Sequence, residues 1–104
     1  MNKILNLIGL AMRATKVVSG EFSTEKLIKE NKAKLVIVAT DASDNTKKLF
    51  MNKCAYKKIP IYIYSDKLSL GHAIGKEYRA SLGISDANFA QAIKKLLDTG
   101  TEVV

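Results

Sequence analysis

Apolar positions along this chain follow two alternating rhythms, one of three to four residues and one nearly continuous. Ile4, Leu5, Ile8, Ala11 and Met12 fall on one face of a helix predicted over 3–14. Val17 and Val18 mark a short strand, 16–19, that runs into Ser19-Gly20. A helical pattern resumes over 23–32, with Ser23 as the candidate N-cap. "KLVIVAT", 34–40, is a near-continuous apolar run rich in β-branched residues and predicts a central strand buried on both faces. "DASDN" supplies capping residues, Asp41 and Asp44 among them, for a helix over 45–58 with Phe50 and Cys54 on its apolar face. "IPIYIYS", 59–65, predicts a strand with Ile61 and Ile63 on one side and Tyr62 and Tyr64 on the other. A short helix at 66–75 with Gly75 as its stop, a strand at 79–84, and a final helix presenting Phe89, Ile93, Leu96 and Leu97 complete the pattern.

Strands alternating with helices predict the α/β class, here a three-layer α/β/α sandwich with a small mixed four-stranded sheet. Sites in such sheets gather where strands end and helices begin, which draws attention to the loops at Gly20, Asp41 and Gly75. No stretch reads as a linker, repeat or low-complexity tract, so one domain over 1–104 is expected. That length can bury a core without disulfides or metal. The N-terminal "ILNLIGLAM" is interrupted by Asn6 and followed by Arg13, which suits an amphipathic helix better than a signal peptide. No apolar run reaches the ~18 residues of a spanning helix. Cys54 is the sole cysteine, which excludes an internal disulfide and fits a reducing compartment. A cytoplasmic location and no membrane partner are expected.

Charge changes the picture most. Seventeen Lys and Arg stand against ten Asp and Glu, a formal +7 that points to a polyanionic partner. Only Arg13 and Arg79 are arginines; lysine suits diffuse phosphate attraction better than bidentate reading of guanine edges. Lysines cluster at 26, 29, 32 and 34, then at 47, 48, 53, 57 and 58. Any one of them reads as a solvated helix face, whereas the summed excess reads as a polyanion surface.

Catalysis finds no support. His72 is the only histidine and has no acid beside it, Cys54 reads as a small buried hydrophobe, and no glycine-rich phosphate loop is present. Asp41 and Asp44 read as helix caps before they read as Mg²⁺ ligands. No enzyme activity, cofactor or metal is expected. There is no tryptophan; Tyr62 and Tyr64 fall in a strand expected to be covered by a helix, and Phe22 and Tyr78 in loops. This disfavours a sheet that stacks successive bases and favours structured RNA held by loops and backbone contacts. At the Gly20 turn two readings stand on physics alone. Glycine simply makes the turn, or it admits RNA to the free N–H groups near Ser23, with Lys16 and Lys26 flanking the anion.

The segments "GLAMRATKVVSGE", "SGEFSTEKLIKENKAKLVIVATDAS", "CAYKKIPIYIY" and "LGHAIGKEYRAS", in this order and spacing, resemble the kink-turn-binding ribosomal-protein family of the L-seven-Ae and L-thirty-e type. The likeness is strongest to its small bacterial, YlxQ-like branch and runs from about residue 4 to residue 97. The resemblance implies a three-layer α/β/α fold that binds kinked RNA helices. In the family a Gly-x-Asn-Glu-x-x-Lys segment reads the tandem sheared G·A pairs beside the kink. Gly20 and Lys26 match its ends; Phe22 stands where the family has Asn and Ser23 where it has Glu, with Glu21 between Gly20 and Phe22. After the central strand Thr40 replaces the family's Glu and Asp41 is kept. The loop that packs on an extruded nucleotide corresponds to Lys76, Glu77 and Tyr78, with Arg79 beside it. The expected partner is therefore structured, kink-turn-like RNA, possibly ribosomal, bound by a monomer. The competing expectation, raised by the lost Asn-Glu pair, is a protein-interaction module that docks on a ribonucleoprotein without reading RNA.

Overall fold

A computed structural model describes residues 2–100. Five helices and four strands alternate: α1 (Lys3–Arg13), β1 (Val17–Ser19), α2 (Glu21–Lys29), β2 (Leu35–Val38), α3 (Asp44–Lys57), β3 (Ile61–Ile63), α4 (Lys67–Ala73), β4 (Ser81–Ile84) and α5 (Ala87–Thr99). The sheet order is β1-β4-β2-β3. β4 pairs antiparallel with both β1 and β2, and β2 pairs parallel with β3, so the sheet is mixed.

The layers follow from alternation along β4. A Cβ added to Gly83 would meet Leu27 and Thr24 of α2, and the Ser81 hydroxyl donates to Thr24 Oγ1 at 3.5 Å. Ser81 and Gly83 therefore face α2, which packs beside α3. Leu82 and Ile84, both fully buried, point to the opposite face, covered by α1, α4 and α5. β2 is buried at every position, as its unbroken apolar run predicts. Tyr62 and Tyr64 share the α1/α5 side: the Tyr62 hydroxyl donates to Asp98 of α5, and Asn2, the cap of α1, donates to Tyr64 Oη at 2.9 Å. Among the largest fully buried side chains are Phe50, Ile4, Ile8, Ile28, Leu35 and Ile93; each contributes on the order of 1.5–3 kcal/mol of burial.

Local chemistry sets most element ends. Side-chain oxygens of Asn2, Ser43, Asp66 and Asp86 accept from the N–H groups of Leu5, Thr46, Ser69 and Phe89, capping α1, α3, α4 and α5. Gly75, with φ +75°, follows α4 in the left-handed region. The N–H groups of Gly75 and Lys76 donate to the carbonyls of His72 and Gly71, which closes the helix end as a glycine stop should.

Several boundaries differ from the expectation. α2 begins at Glu21, so Ser23 lies inside the first turn and is not its cap; Gly20 holds that position. Phe22 is accordingly helical and not in a loop. The helix starts early because the Gly20 N–H donates to Ser81 O at 3.0 Å, which turns the chain at the end of β1. Asp41 and Asp44 do not cap α3: the Ser43 hydroxyl does, Asp44 is its first residue, and the Asp41 carboxylate accepts instead from the Lys67 N–H at 2.9 Å. β3 is shorter than expected and forms a sheet edge, with Ile63 exposed.

Candidate nucleic-acid interface

Strand direction brings three loops to one end of the sheet. In register, Ser19 pairs with Leu82, Val38 with Ser81, and Val38 with Ile63. The ends of β1, β2 and β3 and the start of β4 therefore lie side by side. Hydrogen bonds join the loops beyond these strand ends. Ala39 N–H donates to Ala80 O at 2.9 Å, the Thr40 N–H and hydroxyl both donate to Ser65 O at 2.7 Å, and Arg79 N–H donates to Lys67 O at 3.0 Å. Asp41 closes the set through Lys67. Thr40 and Asp41, expected as binding residues, thus also tie the loops after β2 and β3 together.

The first of these loops is the turn at Gly20. Its backbone, at φ +91° and ψ 161°, lies in a region essentially reserved for glycine. Beyond its chain neighbours, no protein atom lies within 4 Å of where a Cβ would stand, so the turn is open outward. The first intrahelical bond of α2 is Thr24 N–H to Gly20 O, and no side chain caps this helix. The N–H groups of Glu21, Phe22 and Ser23 are left for an acceptor from outside, at the positive end of the helix dipole. Glu21 in the first turn is exposed and already complements that dipole. Phe22, one residue on, is 80% exposed.

The segment Lys76–Arg79 returns to the same end. Arg79 Nε donates to Ser19 Oγ at 2.9 Å and Nη1 to Tyr78 O at 2.6 Å, which plants the guanidinium beside the Gly20 turn. Two of its five N–H donors are used, leaving three to present. Tyr78 is 55% exposed, and Lys76 and Glu77 are exposed beside it. Gly71 explains the position of this segment: a Cβ there would sit 2.6 Å from Glu77 O, so only glycine lets the backbone lie against α4.

Of the expected site residues, Gly20, Glu21, Phe22, Ser23, Thr40, Asp41, Tyr78 and Arg79 lie at or beside this convergence. Lys76 and Glu77 belong to the segment leading into it, and Lys26 stands one turn along α2 from Phe22. Lys16 does not belong. It precedes β1, its carbonyl accepts from the Ser85 N–H and hydroxyl, and it sits at the opposite end of the sheet, ~13 Å along an extended strand from Gly20. Lys16 and Lys26 therefore do not flank one anion site. The gathered loops also carry Glu21, Asp41, Asp66 and Glu77, so the lysine excess is not concentrated there. Much of it lies along α2 and α3, where Lys29, Lys53 and Lys57 line a groove with Tyr56. Sequence reading passed over Tyr56, although Lys53, Tyr56 and Lys57 share a helical face at i, i+3 and i+4.

No group of three or more potential metal ligands is gathered among the described residues. Cys54 is fully buried, and burial pushes its thiol up to about 11, the opposite of an activated nucleophile. No helix among the described residues is long and apolar enough to cross a membrane.

This α/β/α sandwich thus gathers three loops and an open helix N-terminus at one end of its sheet. Residues 2–94 match the Ribosomal protein L7Ae/L30e/S12e/Gadd45 family, and the chain belongs to it. It is 46% identical over 92 residues to the RNA-binding protein YlxQ of Bacillus subtilis (strain 168), covering 88% of this chain and 92% of that protein. The RNA-binding protein YlxQ of Enterococcus faecium is 44% identical over 96 residues, covering 92% of each. A solved structure of a protein with unknown function from Bacillus halodurans C superposes with a TM-score of 0.90 at 38% identity, covering 92% of this chain and 97% of that one. Both of the named relatives carry the description RNA-binding protein.

Proposed function

We propose that this protein is a non-enzymatic, ribosome-associated RNA-binding protein that recognises kink-turn-like structured RNA through the loops around Gly20. The observation that carries this reading is the uncapped N-terminus of α2 beside Arg79 and Tyr78, in a chain whose relatives are named RNA-binding proteins. The free N–H groups after Gly20 would take a phosphate or a base-edge acceptor. Arg79, oriented by Ser19, would take a second acceptor, and Tyr78 would pack on an unstacked nucleotide. With Phe22 and Ser23 at the family's Asn and Glu positions, specificity would rest on the shape of the kinked helix and on backbone donors. Binding would trap the kinked conformer because the protein meets it better than the extended one. We take the protein to act as a cytoplasmic monomer.

The test is a titration against a short RNA duplex containing a kink-turn, beside the same duplex with Watson–Crick pairs in place of the G·A pairs, at two salt concentrations. The reading expects tighter binding to the kinked duplex at both salts. Equal, salt-sensitive binding to the two duplexes would sink the specificity for kinked RNA.

A further inference from the structure

Phe22 and Tyr56 are 80% and 85% exposed, and neither serves the core. On α2, Phe22, Lys26 and Lys29 repeat at i, i+4 and i+7 and so form one stripe. Phe22, Glu25, Lys26 and Lys29 border a depression of about 280 Å³. Lys29 also borders a neighbouring groove of about 350 Å³ between α2 and α3, walled by Lys53, Tyr56 and Lys57 over the buried Ile28. Lys29 lines both.

The acids nearby are already engaged. Glu25 pairs with Lys53 at 3.0 Å, and Glu30 lies 4.0 Å from Lys26 and 3.7 Å from Lys32. Lys57 donates to Asn31 Oδ1 at 2.9 Å and has no acidic partner among the described residues. The strip is therefore net positive, with isolated aromatic rings set between ammonium groups. That arrangement suits a polyanion with flat faces, a single-stranded nucleic acid, better than an apolar peptide, which would want a contiguous apolar patch. The strip also begins where the loop interface ends, since Phe22 stands in the first turn of α2.

We infer that the α2–α3 groove binds a single-stranded RNA segment continuing from the structured RNA, with bases stacked on Phe22 and Tyr56 and phosphates on Lys26, Lys29 and Lys57. This rests on the RNA-binding reading above and adds a second contact to it. Beyond Lys26, which stands within reach of both, the lysine excess along α2 and α3 then serves the tail and not the kink.

The experiment compares a blunt kink-turn duplex with the same duplex carrying a single-stranded oligouridine tail, titrated against wild type, Tyr56→Ala and Lys57→Gln. Tyr56 projects from the surface of α3 and Lys57 is half-buried beside Asn31, both near the C-terminal end of α3 and away from the loop interface, and circular dichroism checks that the variants fold. The tail should tighten binding to wild type. Tyr56→Ala should remove about fivefold or more of that gain and leave blunt-duplex binding unchanged, and an abasic tail should reproduce its loss in the wild type. If the blunt duplex binds and the tail adds nothing, the groove inference is overturned while the kinked-RNA reading stands. A tail gain untouched in both variants overturns it too and leaves the groove to a protein segment. If neither RNA binds, the kinked-RNA reading fails and this inference falls with it.

Discussion

Gly20→Ala tests the turn on which the proposed interface depends. The added methyl has room, because beyond its chain neighbours no protein atom lies within 4 Å of its position. Any cost is therefore conformational. At φ +91° and ψ 161° an alanine is strained by on the order of 1–3 kcal/mol. The turn cannot relax easily, because Gly20 N–H is held by Ser81 O and Gly20 O accepts from Thr24 N–H, each at 3.0 Å. With a urea m-value of ~1.5 kcal/mol per M, the unfolding midpoint should fall by roughly 0.7–2 M. Gly75→Ala is the control. Its φ of +75° follows a helix C-terminus, its added methyl also meets open space, and it faces a cleft with Leu5 and Met12 of α1. There an alanine should cost about 1 kcal/mol. Urea unfolding monitored by far-UV circular dichroism compares the three proteins, and RNA titration is then run in conditions where all are folded. Gly20→Ala should lose more kinked-RNA affinity than Gly75→Ala, since its methyl points into the space the RNA would occupy. A Gly20→Ala midpoint within about 0.3 M of wild type, ~0.5 kcal/mol at that m-value, would refute the backbone argument.

Three further expectations concern other residues. Lys26→Ala should weaken RNA binding and reduce the salt slope by about one, whereas Lys16→Ala, at the far end of the sheet, should change kinked-duplex affinity little; equal losses from the two would contradict the placement of the interface. Gly71→Ala forces a methyl against Glu77 O and should cost ~1–3 kcal/mol of stability while displacing Tyr78 and Arg79, so RNA affinity should fall in the folded fraction; a stable variant with full affinity would count against the role given to Gly71. The Asp66 carboxyl is held below the usual carboxylate range, first by the Ser69 N–H, and Asp98 likewise, first by the Lys94 ammonium. A depressed folded pKa gives stability above the unfolded value near ~4 that is lost as pH falls through the folded one. Asp66→Asn, which keeps a capping side chain, should therefore flatten the acid limb of midpoint against pH, and an unaltered limb would exclude Asp66 as a contributor.

Short-range physics was legible along the chain before any fold was known. The apolar run at Leu35–Val38, rich in β-branched residues, read as an inner strand, and the stop of α4 at Gly75 rests on Gly75 N–H to His72 O and Lys76 N–H to Gly71 O, bonds that reach back three and five positions. The spacing of Ile4, Ile8 and Ala11, or of Phe89, Ile93, Leu96 and Leu97, marked the helix faces that pack on the core. The family motifs were legible for the same reason, as local patterns in fixed order.

Features that depend on which strands meet emerged only from the folded chain. Lys16 and Lys26 stand on either side of the Gly20 turn in the chain, yet β1 runs away from Lys16 and leaves it at the wrong end. The start of α2 was set by a distant carbonyl, Ser81 O on β4, so the local preference for Ser23 as a cap lost to Gly20. Asp41 looked like a cap for the helix next to it and was taken by Lys67 N–H across the sheet end. Tyr56 drew no attention in the sequence, and it joins Lys29 in lining one groove only because α3 packs on α2. Periodicity and capping act within a turn or two of chain. Strand pairing and helix packing join groups that the chain itself keeps apart, and the proposed interface is made of such groups.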